Sequence, residues 1–199
     1  MTRYGDTLSV REARARYFRD NGFGEDGGYG AAWVKLQMGP LTLPLPNTPQ
    51  RVRAVRFHDL HHVVTGYATD WTGEAEIAAW EIASGCADHH AAWLLNLWAM
   101  AIGLVIAPGR VWRAFVRGRR SRNLYREPWS EALIEPRVGE LRARLGLDDA
   151  AAASAPARAG ERAAFAGWCA ASAALALLTL AIALAPLAGL AWLGARVLA

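Results

Sequence analysis

The C-terminal part of the chain contains a long stretch without a charged residue, and this stretch limits what the chain can fold into. Residues 163 to 195 include no Asp, Glu, Lys or Arg. A helix that crosses a membrane needs roughly 20 apolar residues, and residues 164 to 185 supply one such span. Pro186 and Gly189 then interrupt the pattern. The remainder is short for a second span, so it either extends the first helix with a kink or folds back.

The charges beside this hydrophobic tail predict its orientation. Arg158 and Arg162 precede the span, and Arg196 follows it. Because positive residues favour the cytoplasmic side, we expect a cytoplasmic main domain anchored in a bacterial inner membrane. Cys86 and Cys169 suggest no disulfide framework, as expected in a reducing compartment.

Upstream of the tail, the hydrophobic pattern predicts a mainly α fold. Residues 33 to 46 alternate around a Gly-Pro pair and predict a small β-hairpin, with prolines confining its second strand to an edge. The resulting organisation is a helical domain over residues 1–147, a linker over 148–162 and a membrane anchor over 163–199. Predicted helices cover about residues 8–21, 48–66, 70–85, 88–106 and 109–120, with a short one from residue 136.

A second apolar segment, residues 91 to 107, is interrupted only by Asn96. Its length falls at the lower edge of a membrane span, and we expect a buried central helix instead. Three arginines at helical spacing follow it, namely Arg113, Arg117 and Arg120. They are predicted to meet anionic lipid headgroups, and the alternative is a cationic face in solvent.

Several function classes have little support in the sequence. The formal charge is +4, but no nucleic-acid-binding motif accompanies it, so we expect no nucleic-acid partner. The chain lacks a P-loop, a GxGxxG between a strand and a helix, and a GxSxG. These absences argue against nucleotide-dependent and serine-hydrolase chemistry.

The segment FHDLHHVV predicts a metal site. His58 and His62 lie at i and i+4 on one helical face, and Asp59 flanks them. Glu74 stands in the first turn of the next helix and returns to the imidazoles if the chain reverses between the two helices. Two imidazoles and carboxylate oxygen suit zinc or another divalent ion and leave a position open for water or substrate.

The alternative is structural, since histidines at this spacing also cap helices or line cores. We expect His61 at the helix surface, although it could carry a proton. Glu76 and Glu81 are predicted to be solvated or paired with arginines. We expect His89 and His90 at the surface or at the start of a helix.

Two motifs resemble the coenzyme Q biosynthesis protein four family. His58, Asp59, His62 and Glu74 read as H-D-x-x-H-x(11)-E, which is similar to the zinc motif of that family. Residues 117 to 147, with their basic G-R segment, tryptophan and closing L-G-L, resemble a second family segment. The similarity covers roughly residues 48 to 148. The glycine-rich lead and the membrane tail depart from the pattern and leave room for a bacterial branch with a different substrate.

The resemblance implies a helical fold with a zinc-type site near a lipid-accommodating surface. The implied function lies in ubiquinone biosynthesis, on polyprenylated ring intermediates, in replacing a ring carboxylate by a hydroxyl. The implied metal ligands are His58, Asp59, His62 and Glu74, whereas no catalytic residue is assigned. The prenyl tail would meet one apolar helix, at Leu94, Leu97, Met100 and Leu104, although core packing explains these residues equally.

Two alternatives remain open at this point. The protein could be a non-catalytic scaffold that binds lipid intermediates and other quinone-biosynthesis proteins, with the metal holding its helices together. It could also be a metal-dependent hydrolase of another membrane lipid.

Overall fold

The computed structural model describes residues 4–38, 41–147 and 155–198. Within these ranges the chain is mainly α-helical with one small antiparallel sheet, as predicted. About half of the predicted linker, residues 148–154, lies outside the described residues. The elements are α1 (Val10–Asp20), β1 (Trp33–Met38), β2 (Leu41–Pro46), α2 (Pro49–Thr65), α3 (Trp71–Ser84), α4 (His90–Ile106), α5 (Pro108–Arg119), a 3₁₀ turn (Glu131–Leu133), α6 (Val138–Leu145) and α7 (Ala159–Leu198).

Local sequence signals set the ends of the two helices that carry the predicted metal motif. The Thr48 hydroxyl accepts a backbone N–H of the first turn of α2 at 3.2 Å, and Pro49 begins the helix. Gly66 ends α2 with a φ of 75°, a left-handed conformation that glycine adopts without strain. Asp70 caps α3 by accepting a backbone N–H at 2.7 Å. Glu74, in the first turn of α3, faces His58 and His62 of α2, so the chain turns back between the two helices.

The β-hairpin confirms the prediction for residues 33 to 46. Trp33 pairs with Pro46 and Lys35 with Pro44 in an antiparallel register. Prolines are tolerated here because each strand of a two-stranded sheet has a free edge, where a missing N–H costs no ladder hydrogen bond.

Helix α4 runs antiparallel to α3. Gly103, near the end of α4, meets Ala75, near the start of α3, and a Cβ on Gly103 would stand 2.3 Å from the Ala75 Cβ. At the other end, Asn96 of α4 contacts Glu81 of α3. Only glycine permits this close approach of the two helices.

Helix α5 runs parallel to α3. Arg110, in the first turn of α5, pairs with Glu76, and Gly118, near its end, packs against the Trp80 backbone. A Cβ on Gly118 would lie 2.4 Å from the Trp80 carbonyl oxygen. Helix α3 thus packs between two helices of opposite direction: α4 runs antiparallel to α3, and α5 runs parallel to it.

The prediction that residues 91 to 107 form a buried central helix is wrong. Helix α4 buries one stripe, formed by Ala92, Asn96, Met100 and Gly103. The other side is left open, and Val105 is 83% exposed. Neighbouring helices cover only part of the surface of α4, although its sequence is apolar all round.

The hydrophobic tail forms one helix, α7, which continues through Pro186 to Leu198. The structure therefore agrees with an extension past Pro186 and not with a fold back. Among the described residues, α7 is the helix long and apolar enough to cross a membrane. Its first turns pack on the bundle, because Trp168 stacks on Trp93 of α4 with ring centroids 5.1 Å apart.

Candidate metal centre

His58 and His62 lie one turn apart on α2 and direct their Nε2 atoms toward the same point. The two Nε2 atoms are 3.1 Å apart. Glu74, from the first turn of α3, faces both rings, with Oε2 3.4 Å from Nε2 of His58 and Oε1 3.4 Å from Nε2 of His62. The reversal between α2 and α3 thus brings three of the four implied ligands together, and this group could hold a metal ion.

Contacts at the opposite ring nitrogens leave both Nε2 atoms free to coordinate. Nδ1 of His62 is 3.0 Å from the backbone oxygen of Tyr67. Nδ1 of His58 is 3.0 Å from Oε1 of Glu81. A carbonyl and a carboxylate only accept, so each Nδ1 carries a hydrogen, and loss of any proton at Nε2 exposes a lone pair there. In the form that binds metal, two lone pairs and a carboxylate converge, and a cation stabilises such a group.

The spacing of the donors fits a divalent metal. Tetrahedral zinc with ligands at about 2.0–2.1 Å places neighbouring ligand atoms about 3.3 Å apart. The three separations here are 3.1, 3.4 and 3.4 Å. Little rearrangement is needed to bind such an ion, and three protein ligands leave a fourth position for water or substrate.

The charges of the centre are strongly coupled. Burial alone would raise the pKa of Glu74, but His62 and His58 lower it to about 2. Burial alone would lower the pKa of His58, but the Glu81 and Glu74 carboxylates raise it well above its usual range. Glu74 is therefore ionised at neutral pH, as a metal ligand must be.

Asp59, the fourth implied ligand, stands beside this group. Its Oδ2 accepts a hydrogen bond from the Tyr29 hydroxyl at 2.5 Å, and its side chain is not in the converging set of His58, His62 and Glu74. Burial raises the pKa of Asp59, although the hydrogen bond from Tyr29 opposes this. The glycine-rich loop before the hairpin therefore supplies a partner for Asp59.

Glu81 was predicted to be solvated or paired with an arginine, and this prediction is wrong. Glu81 is fully buried and lies at the centre of a polar network behind the metal ligands. Its carboxylate is 2.6 Å from Nδ1 of His61 and accepts hydrogen bonds from Asn96 at 2.5 Å and from Tyr125 at 2.8 Å. With the contact to His58, this carboxylate joins α2, α3, α4 and the segment after α5.

Two sequence signals point to this network in retrospect. Glu81 follows Glu74 by two helical turns and so faces the same neighbour. Asn96 interrupts an otherwise apolar helix, and a buried amide requires a hydrogen-bond partner. Pattern alone did not pair these two residues, because they lie on different helices.

One further histidine prediction needs correction, whereas the predictions for His89 and Glu76 are confirmed. His61 was expected at the helix surface but is fully buried, and its Nε2 accepts the Leu124 N–H at 3.0 Å. His89 stands at the start of α4, as predicted, and is buried against Phe57. Glu76 pairs with an arginine as expected, in two contacts with Arg110 at 2.9 and 2.6 Å.

A small cavity adjoins the centre. It measures about 210 Å³ and is lined by His62, Tyr17, Tyr67 and Asp70, among others. Tyr17 stacks on the His62 ring with centroids 5.4 Å apart. Because the Glu74 side chain is 37% exposed, the centre is also reachable from outside.

The predicted lipid-contact residues of α4 face different surroundings. Met100 is fully buried, and Leu97 and Leu104 pack partly buried against the core of the bundle. Leu94 is 51% exposed. Three of the four residues thus contribute to core packing, and the exposed apolar surface of α4 lies at Leu94 and, at the end of the helix, at Val105 and Ile106.

The three predicted membrane-surface arginines also have different surroundings. Arg113 is exposed. Arg117 donates to the backbone oxygen of Thr65 at 3.0 Å, and Arg120 pairs with Glu161 of α7 at 2.7 Å. Two of these arginines therefore tie elements of the protein together.

Comparisons with protein-family models, with curated proteins and with solved structures found no match.

Proposed function

We propose that this chain is a membrane-anchored, divalent-metal-dependent protein of ubiquinone biosynthesis that acts on polyprenylated ring intermediates. The observation that carries the proposal is the convergence of His58, His62 and Glu74, in the H-D-x-x-H-x(11)-E order, with separations that suit zinc. The proposed reaction type is oxidative decarboxylation: the bond between the ring and its carboxylate breaks with release of CO2, a hydroxyl forms at the same ring carbon, and an external oxidant such as molecular oxygen supplies the oxygen atom and accepts the two electrons.

In this proposal each residue of the centre has its own role. A bound divalent ion would act as a Lewis acid toward a ring carboxylate or phenolate. His58 and His62 hold their lone pairs toward the ion because Glu81 and the Tyr67 carbonyl fix both Nδ1–H groups. Glu74 adds negative charge at an exposed edge, where a substrate ring can approach.

The apolar surfaces support a substrate that resides in the bilayer. A polyprenylated ring partitions into lipid, and an anchored enzyme meets it at a high local concentration. Helix α7 has the length and composition of a membrane span, and exposed apolar residues of α4 lie beside it. We therefore place the protein at a bacterial inner membrane with its main domain in the cytoplasm.

A second candidate is a non-catalytic scaffold that binds lipid intermediates and partner enzymes. It is favoured by the position of the centre between two helices, since His58 and His62 belong to α2 and Glu74 belongs to α3. A metal there would hold the helices together, as structural metals do.

Quinone profiling tests the proposal. In a strain lacking the gene, we expect loss of ubiquinone and accumulation of a ring-carboxylated polyprenyl precursor. Complementation with Glu74→Gln should restore a folded protein and its partner complex but not ubiquinone if the centre is catalytic. Loss of the folded protein with this variant favours the scaffold, in which the metal holds α2 and α3 together. Unchanged quinones in the deletion strain would contradict both and leave a hydrolase of another membrane lipid.

A further inference from the structure

Helix α7 is longer than one membrane crossing requires. It contains 40 residues, so at 1.5 Å per residue it extends roughly 60 Å. The hydrocarbon core of a bilayer is only about 30 Å thick. About half of α7 must therefore lie outside the hydrocarbon, and the contacts of the helix indicate which half.

The first half of α7, residues 159–179 (the docked half), packs on the bundle. Glu161 pairs with Arg120 at 2.7 and 2.8 Å. Phe165 packs against Trp112 of α5 with ring centroids 4.9 Å apart. Beyond Thr179, every side chain from residue 180 to residue 186 is exposed. The helix therefore leaves the domain at about residue 180.

Helix α7 leaves the domain at a defined end of the bundle. Arg120, just past the end of α5, meets Glu161, whereas the earlier residue Trp112 meets Phe165. Helix α7 thus runs antiparallel to α5 and parallel to α4. It emerges where α4 ends, and there Val105 is 83% exposed and Ile106 is 50% exposed.

The exposed faces of the two halves differ in composition. Large aliphatic side chains begin at the end of the docked half, where Leu177 is 66% exposed, and continue with Ile182 at 64%. Large aliphatic side chains gain far more from lipid than alanine or glycine does. Between Arg162 and Leu177, the exposed positions of the docked half are small, namely Ala163, Ala166, Gly167, Ala170, Ala173 and Ala174.

We propose that residues 180–198 (the free half) cross the bilayer, and that the docked half is a further helix of the cytoplasmic bundle. The free half extends roughly 28 Å at 1.5 Å per residue, which matches the hydrocarbon thickness. In the same proposal the α4–α5 corner, with Val105 and Ile106, inserts into the adjoining leaflet. Exposed Arg113, just over one turn into α5, lies at the level of the lipid headgroups.

This arrangement brings the metal centre close to the bilayer. Glu74 precedes Ala75, which packs against Gly103 near the end of α4. The Glu74 end of α3 therefore lies at the membrane end of the bundle, about one helical turn from the corner. The placement stands whichever reaction the centre supports.

Spin-label accessibility in the full chain tests the proposal. Single cysteines are introduced at Ala170, Leu184 and Val105 in a Cys169→Ala background, with Cys86 retained because it is fully buried. The labelled chain is placed in nanodiscs of phosphatidylethanolamine and phosphatidylglycerol. Collision rates are then measured with oxygen, which concentrates in lipid, and with a water-soluble nickel chelate. Arg16→Cys, on the exposed side of α1, is the aqueous control.

We expect the Ala170 label to match the aqueous control, and the Leu184 and Val105 labels to favour oxygen over nickel. An Ala170 label that favours oxygen would overturn the division of α7, because the crossing would then begin in the docked half. A Val105 label that matches the control would overturn insertion of the corner. All three positions are exposed; if one variant misfolds, the neighbouring exposed residue Gly167, Ile182 or Ile106 replaces it.

Discussion

The carboxylate of Glu81 lies 3.0 Å from Nδ1 of His58, so a fully buried acid orients a candidate metal ligand. The same oxygen is 2.6 Å from Nδ1 of His61. Carboxylate contacts of this kind fix the tautomer of a ligating histidine and raise its basicity. The candidate centre therefore depends on a residue that is not itself among the converging ligands.

The first prediction concerns metal content. The full chain, purified without chelating resin, should carry near-stoichiometric zinc or another divalent ion, measured by elemental mass spectrometry. His58→Ala and Glu74→Ala should each lose it, because two remaining ligands bind weakly. His90→Ala is the matched control, since His90 is an exposed histidine at the start of α4. A folded chain that takes up no metal on reconstitution would contradict the site.

The second prediction concerns Glu81. Glu81→Gln keeps the shape of the side chain but removes its negative charge. That charge contacts His58 and three buried groups, on His61, Asn96 and Tyr125. We expect metal affinity to fall about 10- to 100-fold and the free energy of unfolding of the metal-free protein to fall by about 3 kcal/mol. Competition titration and denaturant unfolding measure the two effects.

Glu76→Gln provides the control for Glu81. Glu76 pairs with Arg110, and the Glu76 side chain is 10% exposed whereas that of Arg110 is 45% exposed. Solvent therefore partly screens the pair, and its loss should cost less than that of Glu81, about 1–2 kcal/mol. Equal effects of the two substitutions would contradict a special role for Glu81.

The third prediction concerns pH. Glu81 and Glu74 overcome the effect of burial and raise the pKa of His58 well above its usual range, and a metal must displace the proton that His58 then holds. Apparent metal affinity should therefore rise with pH through neutrality and level off only above the raised His58 pKa. Glu74, with a pKa of about 2, stays ionised throughout. Titrations at several pH values test this, and a flat profile would count against His58 as a ligand.

The fourth prediction concerns Tyr29. Tyr29→Phe removes the hydrogen bond to buried Asp59, so unfolding free energy should fall by about 1–3 kcal/mol while the metal stays bound. Tyr4→Phe is the control, because its bond to Asp20 is longer, at 3.2 Å, and only partly buried. Denaturant unfolding and metal analysis serve as measurements. Loss of metal in Tyr29→Phe would indicate that Asp59 is a ligand held by Tyr29.

Much of the local structure followed from short-range signals. The Thr48-Pro49 start, the Gly66 end and the Asp70 cap were readable because each depends on a few neighbouring backbone groups. Helical periodicity placed His58 and His62 on the same face of α2. The return of Glu74 to these rings required only that a short turn reverse the chain.

The surroundings of these residues could not be read in the same way. His61 and Glu81 are polar residues of types that usually lie at the surface. They are buried because α2, α4 and the segment around Tyr125 meet over them. Conversely, α4 is apolar enough for a core, yet Val105 stays exposed because no described element covers that side.

The sequence by itself determined the helices, the hairpin, the spacing of His58, His62 and Glu74, and the apolar character of the tail, since these follow from periodicity and turn chemistry along the chain. Tertiary structure alone decided that Glu81 lies at the centre of the buried network, that Asp59 turns to Tyr29, and that α7 docks before it runs free. The physical reason is that burial and hydrogen-bond partners depend on which faces of distant helices come together.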